Sequence, residues 1–222
     1  MSNRRLELEQ NLELIKNRIS VAAKAVNRDP NSITLIAVTK TFPVSDIELL
    51  YEIGVRDFGE NRDQEGAVKA PELPADSRWH FQGQIQSNKL KSIAIWADTI
   101  HSIDEISHAR KLSSLVEQKD VFIQVSLSEE VNRGGVEPAD LEKFMEAVSE
   151  LDNLVICGLM AVAPLGEAPA SAFERLKEIS EKVLNSFPRA TSISAGMSND
   201  FESAIAHGAT HIRIGSQILG VR

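Results

Sequence analysis

The feature that most constrains this chain is a rhythm. Short apolar runs rich in β-branched residues recur eight times, separated by longer stretches with helical spacing. The runs fall at 33–39, 57–59, 78–82, 99–102, 121–126, 154–161, 192–195 and 211–214. Most are apolar throughout rather than alternating, which is how parallel strands covered on both faces read. Strands alternating with helices predict a parallel sheet with helices outside it, and eight repeats predict a single closed (β/α)8 barrel of the TIM type. The alternative, an open doubly wound sheet, needs a chain reversal and usually two sub-domains. No Pro/Gly/Ser-rich spacer and no low-complexity tract marks such a division, so all 222 residues are read as one domain.

Leu8, Leu12, Ile15, Ile19, Ala22 and Val26 are spaced by three or four residues, which predicts an extra amphipathic helix within residues 1–29, packed on the barrel. Asp29-Pro30 is expected to stop it. Ser45 with Glu48, and Ser102 with Glu105, read as capping boxes. Pro138 and Pro169 suit first helical turns, and Gly54 and Gly208 suit helix ends.

Charge narrows the partners. Against 24 Lys plus Arg stand 32 Asp plus Glu, a formal net charge of -8, which argues against nucleic-acid binding. The polar N-terminus resembles no signal peptide, and no apolar run approaches the roughly 20 residues that span a bilayer. A single cysteine, Cys157, forms no internal disulfide. The expectation is a cytoplasmic protein that binds neither membrane nor nucleic acid.

In a parallel barrel the chemistry lies at the C-terminal ends of strands. Lys40 follows the first run. It reads either as a solvated lysine or as one held among apolar walls at the mouth, its neutral amine free to condense with an aldehyde. After the seventh run, Ser194-Ala-Gly196-Met197-Ser198-Asn-Asp200 puts small residues and hydroxyls before a helix. That pattern suits a phosphate site or simple capping. Arg213 lies inside the eighth run, costly there unless it meets an anion or an aromatic nitrogen, and Gly215 permits close approach of a ligand. Barrel closure makes the first and eighth strands neighbours, so lysine, arginine and a phosphate cradle converge on a phosphorylated aldehyde, and pyridoxal phosphate fits. Glu60-Asn61-Arg62 and Gln84 to Lys89 suit either the mouth or ordinary solvated turns. His80 and His101 read as satisfied structural histidines. His108, His207 and His211 show no metal-ligand spacing with acids or with Cys157, so no metal is expected.

At these residues the chain resembles the pyridoxal phosphate homeostasis proteins, small single-domain barrels similar to the N-terminal domain of alanine racemase. The resemblance runs through Ala37-Val-Thr39-Lys40-Thr41, Phe58-Gly-Glu60-Asn61, Trp79-His80-Phe81, Gln86-Ser-Asn-Lys89, His101-Ser-Ile-Asp104, Gly158-Leu-Met160 and the stretch from Ser194 to Gly220. Thr39, Gln82 and Ala195 depart from the usual residues, and the loop from Ser126 through Glu130 and Arg133 to Gly135 departs most. The resemblance implies pyridoxal phosphate carried as an aldimine on Lys40. It implies phosphate contacts from Ser194, Gly196, Met197, Ser198, Gly215 and Ser216, a further cofactor contact from Arg213, and Asn61 within the cofactor-binding set. It also implies a monomer that keeps intracellular cofactor and amino-acid balance without an established reaction, with apo-enzymes as recipients.

The competing expectation is an amino-acid racemase. That reaction needs an acid/base group on each face of the substrate carbon. Lys40 supplies one; the only tyrosine, Tyr51, is expected on an outer helix, so the second would have to come from another domain.

Overall fold

The computed structural model describes residues 3–128 and 134–220. Its eight runs become β1 (Thr34–Val38), β2 (Asp57–Glu60), β3 (Arg78–Phe81), β4 (Thr99–Ile103), β5 (Lys119–Gln124), β6 (Leu154–Met160), β7 (Ser192–Ser194) and β8 (His211–Ile214). They pair in chain order, all parallel, and close into a barrel. The seam sets Thr34 against His211 and Ala37 against Ile214. β2 holds although it is only 4 residues long, because all four are buried and each has a partner on β3.

The outer layer is α2 (Val44–Glu52), α3 (Asp63–Lys69), α4 (Leu90–Trp96), α5 (Ile106–Ser113), α6 (Leu141–Ser149), α7 (Pro169–Ser186), α8 (Phe201–Ala206) and α9 (Ser216–Leu219). Pro169 opens α7 as expected, and Gly54 and Gly208, both at φ +97°, follow α2 and α8. Both capping boxes are overturned. Ser45 lies inside α2, whose flanking residue is Pro43, and Ser102 belongs to β4 and donates to Gly83 O at 2.6 Å. A serine held by the carbonyl of the segment after the neighbouring strand β3 is not free to cap. Pro138 precedes α6 by a turn rather than opening it.

The first helix, α1 (Asn3–Ala25), buries Leu8, Leu12, Ile15, Ile19 and Ala23. Each Leu or Ile so buried contributes about 1.5–3 kcal/mol. The helix ends before Asp29-Pro30, where Asn27 turns to φ +56°, and Val26 falls outside it. Its other side ties down the barrel seam: Asn11 donates to Ile218 O, and Arg18 to Glu202 and Gln217. The segments after β7 and β8 are thereby fixed from outside.

Barrel interiors are usually filled by branched aliphatics. Here His101 stacks on Phe122 at 4.5 Å, and His211 meets the same ring edge-on at 5.2 Å. Cys157, on β6, is half-buried, and burial raises its thiol to about 11. Among the described residues no helix is long and apolar enough to cross a membrane.

Candidate functional site

Arg213 is the residue the fold treats most unusually. It is buried with Ile212 and Ile214 on either side, and burial lowers its guanidinium to about 10. Among the described residues no carboxylate lies within ion-pair reach of it. Its partners are neutral: NH1 donates to Ser194 O at 2.8 Å and Ser194 Oγ at 2.7 Å, and NH2 to Ala161 O at 3.0 Å. An uncompensated cation in such a place is expensive. The arrangement suits a ligand that brings negative charge or an aromatic nitrogen.

Lys40 follows β1, the neighbour of β8. It is exposed, with no hydrogen bond or ion pair to the described residues, which is the solvated of its two readings and not the one held among apolar walls. What the structure builds instead is a clamp on the backbone either side of it. Thr39 is fully buried; its carbonyl accepts from Lys69 Nζ at 2.8 Å, and its hydroxyl donates to Glu60 Oε1 at 2.7 Å. Thr41 sits at φ +69°, rare for a β-branched residue, and its N–H donates to Glu65 Oε2 at 2.6 Å. Lys69 Nζ binds both carboxylates, Glu60 at 2.6 Å and Glu65 at 2.8 Å. Burial raises the Glu60 carboxyl above its ordinary value even against Lys69 and Thr39, whereas bonds from Lys69 and Thr41 outweigh burial and lower Glu65. Sequence reasoning missed this cluster. Its one visible sign is the Glu65–Lys69 spacing on α3, common to any solvated helix.

The predicted phosphate cradle is partly assembled. Gly196, at φ +92°, must be glycine, because a Cβ there would sit 2.7 Å from Ala204 Cβ and 2.8 Å from Phe201 Cα. Its carbonyl accepts from Arg213 N. The turn after it meets the start of α9, where Ser216 Oγ donates to Ser198 Oγ at 3.3 Å. Gly215 passes β1 closely, its absent Cβ 3.2 Å from Val38 O. Met197 exposes its side chain, but its N–H already donates to Asp200 Oδ1 at 2.5 Å. Ser194 is fully buried and bonded to Arg213 and His101.

Asn61 lies elsewhere on the rim. It lines a cavity of about 500 Å³ with Arg62, Gln84, Gln86 and Lys89, which neither Lys40 nor Arg213 borders. Asp104, Glu105 and His108 bring ligand atoms within 4.8 Å of one another, a grouping the sequence spacing did not suggest. Asp104 is occupied there in accepting from Gly135 N–H. Of the divergent loop, residues 129–133, Glu130 and Arg133 among them, lie outside the described residues.

Fold and site together define a class: a small parallel barrel with a buried arginine, without a counter-ion among the described residues, on the strand paired with the one that leads to an exposed lysine. The family model of the alanine racemase N-terminal domain matches residues 10–222. A pyridoxal phosphate homeostasis protein of Pseudomonas aeruginosa is 40% identical over 227 residues, covering 97% of this chain and 96% of that protein. Among solved structures, PipY of Synechococcus elongatus with pyridoxal phosphate bound is 36% identical, with a TM-score of 0.81 over 93% of this chain and 100% of its own. A protein of unknown function from Bifidobacterium adolescentis reaches a TM-score of 0.91 at 29% identity, covering 98% and 97%. The chain belongs to the alanine racemase N-terminal domain family, and within it to the pyridoxal phosphate homeostasis proteins.

Proposed function

We propose that this chain is a cytoplasmic, monomeric, single-domain carrier of pyridoxal phosphate that serves cofactor homeostasis, holding it covalently on Lys40 and yielding it to apo-enzymes, without catalysing a reaction of its own. The observation that carries this reading is Arg213, buried without a counter-ion on the strand next to the one that presents Lys40. The cofactor's phosphate and ring nitrogen are both acceptors suited to that guanidinium, and its aldehyde condenses with a primary amine with loss of water. Lys40 is the amine that stands exposed after that neighbouring strand, with no bond to the described residues. Ser198 and Ser216 supply hydroxyls, and Gly196 and Gly215 allow the tight backbone packing that holds the two turns together. Met197 joins the set through its exposed side chain, its amide being taken. Ser194 acts through Arg213, and Asn61 from the neighbouring cavity on the rim. The relatives' names and the bound cofactor in PipY support the same reading.

Exposure of Lys40 suits release as well as capture, because a small nucleophile reaches the link from solvent. The racemase alternative needs a second base opposite Lys40. Tyr51 is on α2, its hydroxyl donating to Asp76 at 2.5 Å, so it does not provide one.

The test is borohydride reduction of the loaded protein followed by peptide mapping. The adduct is expected on Lys40, and Lys40→Ala is expected to lose it while keeping its fold. An adduct on another lysine overturns the assignment. Deuterium uptake at the α-carbon of amino acids, faster with this protein than with free cofactor and lost in Lys40→Ala, overturns the non-catalytic reading.

A further inference from the structure

A line of polar side chains crosses the barrel interior beneath the mouth, and the cofactor reading uses only its last member, Ser194. It starts at the N-terminal end of the strands with Asp57, the first residue of β2, which accepts from Arg78 at 2.6 Å. Asp57 Oδ1 lies 3.1 Å from His80 Nε2, His80 Nδ1 lies 2.9 Å from His101 Nε2, and His101 Nδ1 lies 2.9 Å from Ser194 Oγ. Ser194, the last residue of β7, then accepts from Arg213. We propose that Asp57, His80, His101 and Ser194 form one polarised hydrogen-bond relay, with Asp57 and Ser194 as its ends, that positions Arg213 for its ligand.

The ends fix the direction of every bond. Arg213 can only donate, and an ionised Asp57 can only accept. With both imidazoles neutral, His80 donates from Nε2 to Asp57, and His101 donates from Nε2 to His80 Nδ1. The free Nδ1 of His101 then accepts the Ser194 hydroxyl proton, and the Ser194 oxygen accepts from Arg213. Each donor meets an acceptor in this orientation. The opposite orientation needs a second proton on His80 and turns the Ser194 proton away from His101. The first buries no charged imidazole and so avoids that desolvation cost. Burial, the largest cause, holds His101 well below its ordinary value, so it keeps one ring proton in either orientation. Burial would raise Asp57, but bonds from His80 and Arg78 outweigh it and lower it. Asp200 is the acidic group whose field reaches Arg213.

The consequence for the mouth is mechanical and electrostatic. Of the acceptors on Arg213, two are backbone carbonyls and only the Ser194 hydroxyl can rotate away. Committing its proton to His101 locks the rotor, and the chain of bonds conveys part of the Asp57 charge toward the guanidinium. Ser194 is thus a positioning residue whose proton points inward, away from any phosphate.

This inference rests on Arg213 contacting pyridoxal phosphate, so the experiment has an arm without cofactor. Nitrogen-15 NMR of the ligand-free protein at about pH 8 is expected to find His80 and His101 both neutral and protonated at Nε2. A proton on His101 Nδ1 overturns the relay. In the second arm, His101→Leu is expected to weaken pyridoxal phosphate binding about tenfold, roughly 1.4 kcal/mol, with no further loss when added to Arg213→Gln. His101→Gln, which keeps a donor and an acceptor, is expected to restore part of the affinity. Asp57→Asn, at the far end of the barrel, makes the same comparison should His101→Leu not fold. Unchanged affinity in both disrupting variants, or losses that add to that of Arg213→Gln, overturns the positioning role. A parent protein that takes up no pyridoxal phosphate overturns the cofactor reading instead, and the NMR arm then decides the relay alone.

Discussion

Removing the Lys69 ammonium tests the clamp around Lys40 most directly. Its side chain is 7% exposed and that of Glu60 is 0% exposed, so little solvent reaches the pair. Lys69→Met keeps the aliphatic stem and deletes the three bonds to Thr39 O, Glu60 and Glu65. Breaking a buried pair by removing one partner costs about 3–5 kcal/mol, because the other charge stays behind. For a chain of this length that is a fall in Tm of about 6–20 °C. The loss should depend on pH. Glu60 already has a raised carboxyl, and without Lys69 it rises further. An acid raised in the folded state favours folding at low pH and loses that contribution as pH rises through its folded value. The variant's deficit should therefore be smaller at about pH 5 than at about pH 8. The assay is thermal unfolding by circular dichroism of parent and variant at both values. A deficit of equal size at the two pH values, or one under about 1 kcal/mol as for an exposed pair, refutes the claim that buried charge is what Lys69 neutralises.

Arg213→Gln should weaken cofactor retention by about 1.5–3 kcal/mol, some 10- to 150-fold, through loss of a charge-assisted contact, as measured by dialysis and cofactor quantification; retention equal to the parent would make Arg213 purely structural. Gly196→Ala should destabilise the chain by about 1–3 kcal/mol, since the new methyl meets Ala204 and Phe201 at under 3 Å and the backbone is left-handed there; an unchanged denaturant midpoint would contradict that geometry. Acid should also weaken the fold through the interior histidines. His211 is lowered to about 4 by burial, then by His80. A base depressed in the folded state gives stability that is full above its unfolded value and lost as pH falls toward the folded one, so His211 alone accounts for about 3 kcal/mol between pH 6.5 and 4. Chemical denaturation across that range checks it, and a flat profile would refute it.

Much of the architecture is written within a few residues. Eight β-branched runs, the Pro169 start, the glycines after α2 and α8 and the α1 stripe are local statements, and hydrophobic period decides them before any long-range contact forms. The positions at the ends of strands one, seven and eight are legible for a related reason: a parallel barrel always presents strand C-termini at one mouth, so Lys40, Ser198 and Ser216 after their strands, and Arg213 within the last, need only those strands to be placed. Local signals failed where a distant group made a better offer. Ser102 has a capping-box sequence but is taken by Gly83 O, 19 residues away. Which of the two readings of Lys40 holds depended on which neighbours closure brings, and closure left it exposed. The features that tertiary structure alone decided are bonds between remote positions: Lys69 to Thr39 across 30 residues, and His101 to Ser194 across 93. A lysine on a helix and a histidine on a strand look ordinary in sequence. Only the closed fold removes water from around them and brings their partners within reach.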